Sequence, residues 1–110
     1  MQIPTQITLR HMPPSEALET RIREKADKLL EFHGGVLRCH VVVEETARHH
    51  QQGRRFNVRV EVHVPGHEIA VNRDHDEDPY VAVRDAFDHV AEQLRELARR
   101  QRGEVKTHNP

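Results

Sequence analysis

Between residues 56 and 64 every second side chain is apolar: Phe56, Val58, Val60, Val62 and Val64 alternate with Asn57, Arg59, Glu61 and His63. A period of two sends the two sets to opposite faces of a strand, so this segment buries one face and wets the other. Pro65-Gly66 follows as a turn signal, and Ile69 and Val71 resume the alternation, which makes the two runs a hairpin. An isolated hairpin is at best marginally stable in water, so its apolar face needs a second layer. The rest of the chain must supply that layer.

Two segments have the pattern for it. Tyr80, Val83, Phe87, Val90, Leu94 and Leu97 step by 3, 4, 3, 4 and 3 residues, the spacing of one apolar stripe along a helix. Asp78 is placed to cap that helix, with Pro79 at its first position. Leu18, Ile22, Ala26 and Leu29 form a second stripe, extended by Phe32. Ser15 opens this helix, Glu16 and Glu19 sit at the positive end of its dipole, and Gly34-Gly35 is expected to end it. Upstream, residues 3–10 alternate with Ile3, Thr5, Ile7 and Leu9 on one side. Pro4 lacks an N–H, so that strand either lies at an edge or pairs fully only after the proline. Residues 36–45 are valine-rich and apolar on both faces over part of their length, which suits a central strand. Residues 46–55 have no period and contain Gly53, so a polar loop is expected.

The order is β-α-β-β-β-α. This is an α+β fold: a single βαβββα domain, a four-stranded sheet with two helices on one face. At 110 residues there is room for one domain. It is expected to span residues 1–102, with the patternless polar segment 103–110 as a flexible tail or linker. Apolar residues at 35% and charged residues at 32% suit a thin two-layer structure with one modest core. No run approaches the roughly 18 apolar residues of a membrane span, and the first residues lack a signal-type apolar stretch, so a soluble cytoplasmic protein is expected.

Chemistry-bearing motifs are sparse. Cys39 is the only cysteine, so it has no intramolecular disulfide partner, and its apolar surroundings point to a buried, inert thiol. Ten histidines raise the question of a metal. However, His49 and His50 are adjacent, no H-E-x-x-H occurs, and no carboxylate or cysteine completes a tetrahedral set by spacing. The acidic run Asp74, Asp76, Glu77 and Asp78 lacks the glycine and terminal glutamate of an EF-hand loop. No catalytic residue, metal, cofactor or small-molecule substrate is indicated.

Charge placement says more than the net charge of −1. Arg21, Arg23, Lys25 and Lys28 lie off the apolar stripe of the first helix. Arg48, Arg54, Arg55 and Arg59 occur without an acid between 46 and 60, and Arg95, Arg99, Arg100 and Arg102 end the second helix. The acids collect at 74–78 and 85–96. Segregation of this kind gives a near-neutral protein a basic surface. The alternative is a protein-interaction or dimerisation module using the acidic 74–92 region.

Three motifs in order carry a family likeness: Ser15-Glu16-Ala17-Leu18 opening the first helix, Val64-Pro65-Gly66-His67-Glu68-Ile69 closing the hairpin, and Asp76-Glu77-Asp78-Pro79-Tyr80-Val81-Ala82-Val83 leading into the second helix, continued by Phe87, Gln93 and Leu94. Over residues 1–102 the chain resembles the ribosome hibernation-promoting factors, also called ribosome-associated inhibitor A or sigma-factor modulation proteins. The resemblance implies a βαβββα fold similar to double-stranded-RNA-binding domains. It also implies a non-catalytic factor bound to the small ribosomal subunit and its rRNA, occluding the mRNA and tRNA sites and inhibiting translation under stress. Lys25 and Lys28 match basic positions on the family's first helix and are the foremost RNA-binding candidates; charge placement adds Arg21, Arg54, Arg55, Arg95, Arg99 and Arg100. Glu92, Glu96 and His89 depart from the basic residues common at those places in the family. Arg99 to His108 resembles the linker of relatives that continue into a cold-shock domain; a stand-alone short form is the other possibility.

Overall fold

The computed structural model describes residues 2–47 and 53–103. Its elements are β1 (Thr5–Arg10), α1 (Glu16–Lys28) with one 3-10 turn after it (Leu29–Glu31), β2 (Arg38–Ala47), β3 (Arg54–Val64), β4 (His67–Asp76) and α2 (Pro79–Gln101). The four strands lie in the order β1-β2-β3-β4. β1 runs parallel to β2, and the two remaining contacts are antiparallel. A parallel pair needs a crossover connection, which α1 provides.

The register lines up the apolar halves of every strand. Ile7 lies beside Val41, Val41 beside Val60, and Val60 beside Val71. One face of the sheet is therefore apolar from edge to edge, and both helices cover it. Leu18, Ile22 and Leu29 from α1 join Phe87, Val90 and Leu94 from α2 and the strand valines in a single buried cluster. α1 packs on β1, and α2 packs on β3 and β4. β2 is an interior strand, as its two-sided apolar pattern predicts.

The caps fall where the sequence puts them. Ser15 Oγ accepts from the Leu18 N–H at 3.2 Å, and one Asp78 carboxylate oxygen accepts from the Tyr80 N–H at 2.9 Å and the Val81 N–H at 3.4 Å. Pro4 satisfies both of its conditions: β1 is an edge strand, and its paired run starts at Thr5, with the Pro4 carbonyl accepting from the Cys39 N–H at 3.0 Å. Gly66 has φ +79° after Pro65, the combination a type II turn requires.

Two expectations are corrected. The segment 46–55 is not wholly loop, because Thr46 pairs with Arg55 and Ala47 with Arg54, extending the hairpin arms beyond the apolar alternation. Its middle, 48–52, lies outside the described residues, as does 104–110 of the tail. Nor does Gly34-Gly35 end α1 through a left-handed cap. The helix tightens into the 3-10 turn, where the Leu29 carbonyl accepts from the N–H groups of Phe32 and His33 at 3.0 and 3.1 Å. The glycines come after that ending, and neither has a positive φ.

Cys39 is 2% exposed, and burial pushes its thiol up to about 12 from 9.0. A thiol pKa so far above neutrality leaves almost no thiolate to react. At pH 8 the folded chain is expected to react with a maleimide far more slowly than it does in denaturant. Equal rates in the two conditions would mean that the thiol is open.

Candidate nucleic-acid interface

Arg21, Lys25 and Lys28 are spaced by four and three residues, so α1 presents them as one ridge beside its buried stripe. The chain order β-α-β-β-β-α makes the two helices run in the same direction, so positions along them match up. Arg21 lies over the ring of Tyr80 at 5.6 Å from its centroid, at the start of α2. Farther along, Arg95 lies over Phe32 at 5.1 Å. Beyond that, His33 Nε2 and Gln101 Oε1 are 2.6 Å apart.

A groove between the helices is lined by Lys25, Lys28, Leu29, Phe32, Phe87, Asp88 and Ala91. A shallower concavity on the α1 ridge is lined by Arg21, Glu24, Lys25 and Lys28. Lysine stems cover the apolar floor while their ammonium groups reach water. Among the described residues neither Lys25 nor Lys28 is held in an ion pair. Arg21 has only a long contact with Glu24 at 3.8 Å, worth little between exposed groups. Lys25 and Lys28 also occupy the last turn of α1, where the negative end of its dipole favours cations.

The structure thus brings four of the eight sequence-predicted residues together: Arg21, Lys25, Lys28 and Arg95. The other four lie elsewhere. Arg54 and Arg55 are neighbours on β3 and point to opposite faces of the sheet. Arg54 donates twice to Glu45, at 3.0 and 3.2 Å, and lies over Phe56. Arg55 sits 3.7 Å from Asp74 on the open face. Arg99 is paired with Glu96. Arg100 lines a hollow between α2 and β4 with Glu68, Glu92 and Glu96. Asp85, Asp88, Glu92 and Glu96 follow one another by 3, 4 and 4 residues and form an acidic ridge along the outward side of α2.

Sequence reasoning missed the partners Tyr80 and Phe32, which it assigned only to apolar stripes. It also missed a set on the helix-free face of the sheet: Glu61, His63 and Glu68, whose potential ligand atoms all lie within 4.8 Å of one another. A signal for that set was present. A two-residue turn at 65–66 places His63 opposite Glu68, and Glu61 shares its face two residues away. Arg59 donates to Glu61 at 2.8 Å and holds that carboxyl below the usual carboxylate range.

Residues 5–102 match the family described as sigma 54 modulation protein / S30EA ribosomal protein. The chain belongs to that family. This is the family to which the helix and hairpin motifs point. Two solved structures share the family fold with the chain. A ribosomal subunit interface protein from Coxiella burnetii is 18% identical, with a TM-score of 0.68 over 86% of this chain and 97% of that one. The N-terminal domain of Protein Y from Thermus thermophilus is 20% identical, with a TM-score of 0.66 over 88% of this chain and 99% of that one. No curated protein matches the chain in sequence. Among the described residues no helix is long and apolar enough to cross a membrane.

Proposed function

We propose that this chain is a cytoplasmic, non-catalytic ribosome-associated factor. In this reading it grips small-subunit rRNA with the α1 ridge and the inter-helix groove, occludes the mRNA and tRNA sites, and holds translation down under stress. The observation that carries the reading is the pair Lys25 and Lys28, cationic, free of ion pairs among the described residues, and flanked by Arg21 and Arg95. Family membership supports the ribosome as partner. Contacts of this kind neutralise phosphates and position the domain without reading bases. The aromatic rings of Phe32 and Tyr80 fix the two arginines in place, which lowers the side-chain entropy lost on binding.

The test is sedimentation with purified small subunits across a salt series. Binding at low salt that falls off steeply with rising salt is expected. Protein that stays unbound at low salt would remove the reading. The acidic ridge on α2 favours a second reading, in which the domain binds a basic protein. That reading predicts salt-sensitive capture of a basic protein without any ribosome.

The acidic ridge borders the groove and should repel phosphate. Glu92→Lys and Glu96→Lys are therefore expected to tighten subunit binding, and the second also releases Arg99. Each exchange removes a repulsion and adds an attraction, together worth about 1–2 kcal/mol, or about 5- to 30-fold in Kd. Weaker binding in both variants would place the RNA on another surface.

A further inference from the structure

The helix-free face of the sheet carries a group of side chains that the ribosomal reading does not use. We propose that Glu61, His63 and Glu68 form a binding site for a first-row transition dication such as zinc.

The hairpin makes the site. Glu61 and His63 are two residues apart on β3 and so share a face, and β4 places Glu68 directly across from His63. The short turn at Pro65-Gly66 sets this register, so the three groups converge on paired strands and not on a loop. His63 Nε2 and Glu68 Oε2 are 3.9 Å apart, and the three ligand atoms lie within 4.8 Å of one another. Ligand atoms around one tetrahedral zinc are about 3.4 Å apart, given bonds of about 2.0–2.2 Å. Closing onto an ion thus takes roughly an ångström of movement, within reach of the Glu68 side chain, which is 52% exposed.

Arg59 occupies one oxygen of Glu61 and leaves the other for a metal. His40 lies across from Glu61 on β2. Its Nε2 is shielded from solvent and has no hydrogen-bond partner among the described residues, though it lies outside the set of three whose ligand atoms fall within 4.8 Å of one another. One imidazole with two carboxylates suits zinc and its neighbours, whereas calcium and magnesium take oxygen ligands. Arg59 offsets part of the Glu61 charge, so the negative charge that draws the cation comes mainly from Glu68.

The experiment uses the whole chain, stripped with a chelator and titrated with zinc chloride by calorimetry. One equivalent is expected to bind, with a matching rise in melting temperature that the chelator reverses. His63→Ala and Glu68→Gln should each weaken binding about tenfold or more. His49→Ala/His50→Ala, which removes the adjacent pair most able to chelate adventitiously, should leave binding in place. In the unmodified chain, the ring nitrogens of His63 should shift on zinc addition, a readout that does not depend on a variant folding. The proposal is overturned by no binding, by binding that survives His63→Ala and is lost with His49 and His50, or by an unmoved His63 ring. None of these outcomes bears on the ribosomal reading, which sedimentation tests separately.

Discussion

Charge reversal at Lys25 and Lys28 together, Lys25→Glu with Lys28→Glu, is expected to weaken small-subunit binding by 30- to 1,000-fold at low salt. A lysine against an array of phosphates contributes on the order of 1 kcal/mol, and reversal turns the attraction into repulsion. The pair therefore costs roughly 2–4 kcal/mol, which gives that range in Kd. The salt dependence should change with it. Two lost phosphate contacts should flatten the log–log slope by about 1.4–1.8, because each accounts for about 0.7–0.9. A general loss of affinity through misfolding would follow no such rule. The variant does bear a local cost, since glutamate in the last turn of α1 opposes the helix dipole by about 0.3–1 kcal/mol per residue. Lys25→Gln with Lys28→Gln avoids that repulsion, and its effect should fall between the wild type and the reversal. The same reversal at Lys106, far along the chain from this ridge, should leave binding close to wild type. Unchanged binding after the Lys25/Lys28 reversal would move the interface off α1.

How far these residues can be found from sequence depends on the range of the interactions that place them. The α1 ridge is legible because it is local: spacings of four and three fix Arg21, Lys25 and Lys28 relative to Leu18 and Ile22 whatever else the chain does. The same geometry separates Arg99 from Arg100, since neighbours on a helix diverge by about 100°. It also separates Arg54 from Arg55, because alternation sends neighbours on a strand to opposite faces. Nearness in the chain therefore does not by itself put these arginines on one surface. The meeting of Arg95 with Phe32 is different, because it requires the helices to run in parallel and to dock with Phe32 level with Arg95. That offset is set by packing over the whole sheet. The misread segment 46–55 makes the complementary point. Its polar composition looks like a loop, but the β2–β3 ladder continues through Thr46 and Arg55 because backbone pairing does not need apolar side chains. Cross-strand contacts hold the extension, with Arg54 on Glu45 and the Thr46 hydroxyl donating to the Arg55 carbonyl at 3.3 Å. Gly34-Gly35 failed as a helix stop for a local reason: the 3-10 turn at Leu29 had already used the carbonyl a glycine cap would serve.

Leu94→Ala is expected to be strongly destabilising, and Leu37→Ala nearly silent. The two leucines differ above all in burial, since Leu94 is 0% exposed and Leu37 is 52% exposed. Leu94 lies in the cluster that joins both helices to the sheet. Removing its side chain takes away transfer free energy and leaves a cavity between α2 and the sheet that the packed core fills only in part. Buried Leu→Ala exchanges cost about 2–5 kcal/mol, a large share of the roughly 5–15 kcal/mol that holds a domain together. For a domain of this size 1 kcal/mol shifts the melting temperature by about 4–8 °C, so a loss of ten degrees or more is expected. Leu37→Ala, out in solvent before β2, should stay within about 0.5 kcal/mol of wild type. Arg95 follows Leu94 in the chain and depends on the same helix seating to stay over Phe32. At temperatures where the Leu94→Ala chain remains folded, its subunit affinity should fall less than in the Lys25/Lys28 reversal, and its salt slope should be unchanged. Thermal and denaturant melts of the two leucine variants decide the point. Comparable losses from both would mean that Leu37 is covered, or that Leu94 is not in the core where the 3-4 spacing of α2 puts it.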